Sequence, residues 1–86
     1  MHVPAHDSET DVAALVRDAW TEVLETEDFA DDAHFFSIGG NSIAAIRVMG
    51  AISKVVGQRV PVRLLFENQT VPALTAAVAS WLDANK

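Results

Sequence analysis

The stretch Phe35-Phe36-Ser37-Ile38-Gly39-Gly40-Asn41-Ser42-Ile43 constrains the fold more than any other. Two adjacent aromatics carry a large apolar area that must be buried. A glycine pair follows, and Ser42 then opens a strongly apolar run that ends at Gly57. The pattern predicts a loop pinned to a core by its phenylalanines, turning through Gly39 and Gly40 into the first turn of a helix. Ser42 falls where loop and helix meet. A hydroxyl there is exposed, open on its glycine side, and next to backbone N–H groups with no intrahelical partner. The rest of the chain reads as a scaffold for presenting Ser42.

Ahead of that stretch, Val12, Leu15, Val16, Ala19, Trp20, Val23 and Leu24 recur at helical spacing, so one helix face is buried. Ser8 with Asp11 resembles a capping box, and Thr10 is an alternative cap. Trp20 reads as a core anchor rather than a ligand-stacking group. From Glu25 to Asn41 no period is visible, and the stretch is acidic and long for a small helical domain. Phe29, Phe35, Phe36 and Ile38 are its expected anchors, with His34 a half-buried spacer.

The predicted second helix covers 42–56, with Gly57 at the left-handed position that closes it. Ala45, Val48, Met49, Ile52, Val55 and Val56 form its expected core face. Ile43, Ile46 and Gly50 fall on the flank of Ser42. Two readings stand for the isoleucines: contact with the long loop, or a small exposed patch where a partner docks. Arg47 lies between them as a polar rim contact. Val60 before Pro61 is extended, and Pro61 begins a short helical turn through Phe66 that is held by burying Leu64, Leu65 or Phe66. Thr70 is the expected N-cap of a last helix, with Pro72 in its first turn and Leu74, Ala77, Val78, Trp81 and Leu82 on its apolar face. The fold class is therefore all-α: a small bundle of three main helices plus one short helix, with a long first loop. Residues 1–7 are expected to be a flexible tail, 8–82 the domain, and 83–86 a frayed end.

The 86 residues, half of them apolar, make one small domain. No cysteine is present, so the protein brings neither disulfides nor a thiol of its own. A formal charge of −6 without a basic stripe argues against nucleic acid and suits partners with positive surfaces. No apolar run approaches the roughly 18 residues of a membrane span, and the N-terminus does not open a signal peptide. A cytoplasmic location, away from membranes, is the expectation. Asn68-Gln69-Thr70 fits the glycosylation pattern but has no secretion signal to support it.

No metal site is expected. His2 and His6 are four apart with nothing nearby to complete a ligand set. The acidic loop lacks the spacing and closing glutamate of a calcium loop, so it reads as solvated. No catalytic residue is expected either. Ser42 has no base and orienting group in view, and Ala44 stands where a nucleophile elbow needs glycine. The Gly39–Ser42 segment lacks the lysine and spacing of a nucleotide loop. What remains is a helix N-terminus able to hold one phosphate group.

The stretch from Phe35 to Ile43 resembles the signature of the peptidyl carrier, or thiolation, domains of non-ribosomal peptide synthetases. Trp20–Leu24 is similar to the end of that family's first helix. Val60–Phe66 with Thr70-Val71 is similar to its segment into the last helix. The resemblance covers about residues 8–82. It implies an acyl-carrier-like bundle that is not an enzyme but carries 4′-phosphopantetheine, transferred from coenzyme A onto Ser42 by a phosphopantetheinyl transferase. It implies that Gly39, Gly40 and Asn41 flank the attachment point, the glycines leaving room for the transferase. It also implies an aminoacyl or peptidyl thioester presented to adenylation, condensation, thioesterase or oxidative tailoring domains, and a monomer. Ile43, Ile46 and Met49 match where the family meets partners, although helical phase puts Met49 nearer the core, and Arg47 joins them as the expected polar rim contact.

The sequence departs from the family pattern at Ala33-His34 and Ser37, where acidic or amide residues are common, and at Asn41, where His or Asp is commoner. Two further readings stand beside this one: an acyl carrier of a polyketide or fatty-acid system, which typically lacks the Phe35-Phe36 pair with Gly39-Gly40, and a helical interaction module whose serine is never modified.

Overall fold

The computed structural model describes residues 8–85, with side chains from Asp11 onward. The expected tail, its histidines and the capping residues Ser8 and Thr10 lie outside the described side chains. Four helices follow in order: α1 (Ser8–Leu24), α2 (Ser42–Val56), α3 (Arg63–Glu67) and α4 (Val71–Ala84), with a 3-10 turn at Phe35–Ser37. The all-α expectation holds. α4 continues past the expected boundary at Leu82, and Asn85 closes it through its backbone and its side-chain bond to the Trp81 carbonyl.

α1 packs against both α2 and α4, and α3 packs against α4 and α2. The sequence accounts for this, because Val12, Val16, Ala19 and Trp20 share one α1 face and are all buried. They meet Ala45, Val48, Met49 and Ile52 of α2 and Val71, Leu74 and Val78 of α4 in a single core. Thr70 caps α4 as expected, its hydroxyl accepting from the Ala73 N–H at 3.2 Å. Gly57 closes α2 at φ 77°, where a side chain would be strained. Leu64 and Leu65 hold the short α3, while Phe66 stays partly exposed.

Aromatic packing anchors the long first loop. The Trp20 ring lies 5.6 Å from Phe29 and 5.0 Å from Phe35, the latter edge-on. Phe36 meets Phe35 edge-on at 5.4 Å and stacks on Phe66 of α3 at 5.5 Å. Arg17 of α1 holds the acidic part of the loop. Its guanidinium donates to Asp31 Oδ1 at 3.0 Å and to the Phe29 carbonyl at 2.7 Å, and it lies 4.5 Å from the Phe29 ring. The Phe35 N–H donates to the Gln69 carbonyl at 2.8 Å, tying the loop to the segment ahead of α4.

Two expectations change. His34 is exposed rather than half-buried, because the inward slot is taken by Phe35 beside it. Val55 is 70% exposed and does not belong to the α2 core face. Val56 takes the half-buried place, and the last turn of α2 leaves Val55 uncovered.

Candidate functional site

The site is built by the turn from Phe35 to Asn41. Once Phe35 is buried against Trp20, its carbonyl gathers the N–H groups of Ile38 at 3.4 Å and Gly40 at 3.0 Å. This curls the chain tightly back over its own ring. A Cβ on Gly40 would lie 2.4 Å from two Phe35 ring atoms, inside any tolerable contact, so only glycine fits there. Gly39 serves differently: its φ of 109° is a backbone state that side chains rarely adopt. The glycine pair is therefore needed by the turn itself, a role distinct from clearing space for a visiting enzyme.

Asn41 then takes extended dihedrals, and its Oδ1 accepts from the Ala44 N–H at 2.8 Å. Asn41, rather than Ser42, is the N-cap of α2. Ser42 is the first helical residue, exposed, and its hydroxyl enters no hydrogen bond among the described residues. The N–H groups of Ser42 and Ile43 are likewise without acceptors there. A free hydroxyl beside two free amides, at the positive end of a 15-residue helix, suits a phosphate ester on that oxygen. Nothing from residues 42–66 adds a carboxylate that would repel it.

Ile43 is 66% exposed and Ile46 59% exposed, so the long loop does not cover them. Ile43 and Arg47 border a hollow of about 300 Å³ against Val23, Leu24 and Ile38. Met49 is corrected: at 2% exposure it belongs to the core, and it reaches the surface only as part of a groove lining. One feature escaped sequence reasoning. A groove of about 640 Å³ runs from Ile46 past Gly50 to Lys54, walled on its far side by Arg59, Val60 and Val62. Its signal was present in the charge order, since ten of the twelve carboxylates precede Ser42 while Arg47, Lys54, Arg59 and Arg63 follow it with none between.

Residues 14–78 match the family described as phosphopantetheine attachment site. The chain belongs to this family. Family members carry 4′-phosphopantetheine, and the domain is a non-catalytic carrier that works by thiolation. It is 35% identical over 71 residues to the PKS-NRPS hybrid synthetase acdB of Aspergillus candidus, covering 83% of this chain and 3% of that protein. It is 34% identical over 65 residues to surfactin synthase subunit 1 of Bacillus subtilis, covering 76% of this chain and 2% of the relative. With tyrocidine synthase 2 of Brevibacillus parabrevis the identity is 39% over 59 residues, 69% of this chain and 2% of that one. The chain thus spans only a few hundredths of the length of these three relatives. Among solved structures, BlmI, a type-II acyl-carrier-protein from Streptomyces verticillus involved in bleomycin biosynthesis, superposes with a TM-score of 0.79 at 27% identity, covering 86% of this chain and 89% of that chain. Among the described residues, no helix is long and apolar enough to cross a membrane.

Proposed function

We propose that Ser42 is the attachment point and that the domain serves as a peptidyl carrier in non-ribosomal peptide biosynthesis. The observation that carries this reading is the division of labour at the start of α2. Asn41 does the capping, which leaves the Ser42 hydroxyl exposed and unbonded beside two free amides. On modification the Ser42 oxygen attacks the coenzyme A phosphorus that bears the pantetheine arm, and the bond from that phosphorus to the bridging pyrophosphate oxygen breaks. Adenosine 3′,5′-bisphosphate leaves and the hydroxyl proton passes to the transferase, so that the oxygen becomes the ester oxygen of a phosphodiester. The amides of Ser42 and Ile43, with the helix dipole behind them, are placed to offset the negative charge. Gly39 and Gly40 fix the turn that holds the oxygen outward. The arm supplies the terminal thiol that a cysteine-free chain lacks.

Several features support the peptidyl rather than the acyl version: the Phe35-Phe36 pair, the glycine pair and the peptide synthases among the relatives. The partners in this reading are a phosphopantetheinyl transferase that loads the arm and adenylation, condensation, thioesterase or oxidative tailoring domains that use it. The setting is cytoplasmic and the domain monomeric. Ile43, Ile46 and Arg47 are the docking contacts beside the serine.

The test is intact mass after incubation with coenzyme A and a promiscuous phosphopantetheinyl transferase, with Ser42→Ala alongside. The wild type is expected to gain one arm and the variant none, with both melting alike because Ser42 is not the cap. A folded wild type that gains nothing from two different transferases would leave an unmodified interaction module instead. In the same assay series, Ile46→Asp is expected to slow downstream turnover while leaving helicity intact.

A further inference from the structure

All four large hydrophobics that the described residues leave exposed, Ile43, Ile46, Val55 and Phe66, lie between Ser42 and Phe66. That same stretch holds four cations and no carboxylate, in a chain whose formal charge is −6. Arg63 is drawn toward Glu67 at 3.6 Å, but Arg47, Lys54 and Arg59 enter no ion pair among the described residues. Lys54 and Arg59 both border the α2 groove. The groove floor is apolar, with Ile46 and Met49 on one side and Val60 and Val62 on the other. The space over Gly50 is open, since a Cβ there would meet nothing within 4 Å.

We infer that this groove docks a partner protein that presents carboxylates around an apolar side chain, so that the working face of the domain is cationic against its net acidity. The inference rests on the carrier reading for the partner's direction of approach, and it names the chemistry of that partner. The apolar side chain fills the groove beside Ile46, and the carboxylates meet Lys54 and Arg59. At a rise of 1.5 Å per residue, Lys54 lies about 18 Å along α2 from Ser42. The partner's acidic group therefore sits about that far from the mouth through which it receives what Ser42 carries. The acidic stretch from Glu25 to Asp32 would repel such a surface, so the charge order orients the encounter as well as attracting it. An anionic lipid surface fits less well. The whole chain is negative, so a broad anionic plane repels most of the molecule.

The test titrates the isotope-labelled chain with a pair of synthetic amphipathic helical peptides of one leucine pattern, flanked by glutamates in one and lysines in the other. The glutamate peptide is expected to shift the amides of Ile46, Gly50, Lys54 and Val60, and to bind less tightly as salt rises. Lys54→Glu with Arg59→Glu is expected to weaken it at least about tenfold, because two attractions become two repulsions at exposed sites. Gly50→Trp, which fills the groove without removing either charge, is expected to block it as well. Equal or tighter binding of the lysine peptide overturns the inference. So do binding that survives the charge reversals, shifts confined to residues outside the groove, or no binding by either peptide. Charge-dependent capture by phosphatidylglycerol vesicles without peptide binding reassigns the face to lipid and overturns it equally. Groove binding in a chain whose Ser42 takes no arm would sink the carrier reading and leave the groove's chemistry standing.

Discussion

The chain ahead of Ser42 and the stretch from Ser42 to Phe66 handle apolar and charged residues in opposite ways. The first holds ten of the twelve carboxylates, those whose side chains are described all exposed, and turns Trp20, Phe29 and Phe35 inward. The second holds cations without a carboxylate and leaves Ile43, Ile46, Val55 and Phe66 partly or largely in water. Burial is the cheap solution for a large apolar side chain. A region that leaves four of them exposed beside uncompensated charge gives up stability that the other region collects. The division matches a molecule with one half that holds it together and one half that meets partners. If that is right, changes at buried positions of either stretch act on stability, and changes at the exposed positions of the second act on binding or modification.

The largest expected effect tests the holding half. Phe35 is fully buried, touches Trp20 and Phe36, and lends its carbonyl to the turn. Phe35→Ala is expected to cost about 3–5 kcal/mol in chemical denaturation, a large share of what a domain of this size possesses. It should also slow modification of Ser42, because the turn loses the ring around which it is wrapped. A loss under about 1 kcal/mol would mean that the site region folds independently of the aromatic core.

Gly40→Ala comes next. Its new methyl would fall within 2.4 Å of the Phe35 ring and 2.6 Å of the Phe35 carbonyl oxygen, and backbone cannot yield as a flexible side chain does. About 1–3 kcal/mol is expected, read from the same denaturation curve. A neutral outcome would show that Phe35 shifts freely, which contradicts its tight place in the core.

These two residues also show what was legible in the chain and what was not. Helix periods, the Gly57 stop and the Thr70 cap are local signals, and each stands where the sequence puts it. Burial of Phe35 follows from its size. The reason for Gly40 does not, because the clash partner is set by a turn whose path depends on where Phe35 packs. Val55 failed for a related reason: apolar periodicity marks a face, but whether the last turn of α2 is covered depends on the chain after Gly57. That chain turns back across the Ser53 side, where the Val60 N–H donates to Ser53 Oγ at 2.8 Å. At the site, Ser42 was legible as the exposed hydroxyl, but the residue that caps α2 was not. Ser and Asn are both good N-caps, and only the extended dihedrals of Asn41 decide between them.

That decision gives the third prediction. Asn41→Ala is expected to cost about 1 kcal/mol, since the Ala44 N–H loses its acceptor at the exposed start of α2. Ser42→Ala should cost almost nothing in the same experiment. A reversed order would move the cap to Ser42 and give its hydroxyl a structural reason to be there.

The smallest effect bears on the meeting half. Val55 and Val48 lie on one helix seven residues apart, yet Val48 is fully buried and Val55 is 70% exposed. Val55→Ser removes apolar surface that water already reaches, so a change within about 0.5 kcal/mol is expected from denaturation of the isolated chain. The result is informative because it is small. If Val55 is exposed only in the isolated domain, the same substitution should matter once a partner covers the far end of α2, and the two measurements together separate the surface that holds the fold from the surface that is used. A substantial loss in the isolated chain would mean that Val55 is already covered there, and the boundary between the two halves would then have to be drawn before the last turn of α2 rather than at Ser42.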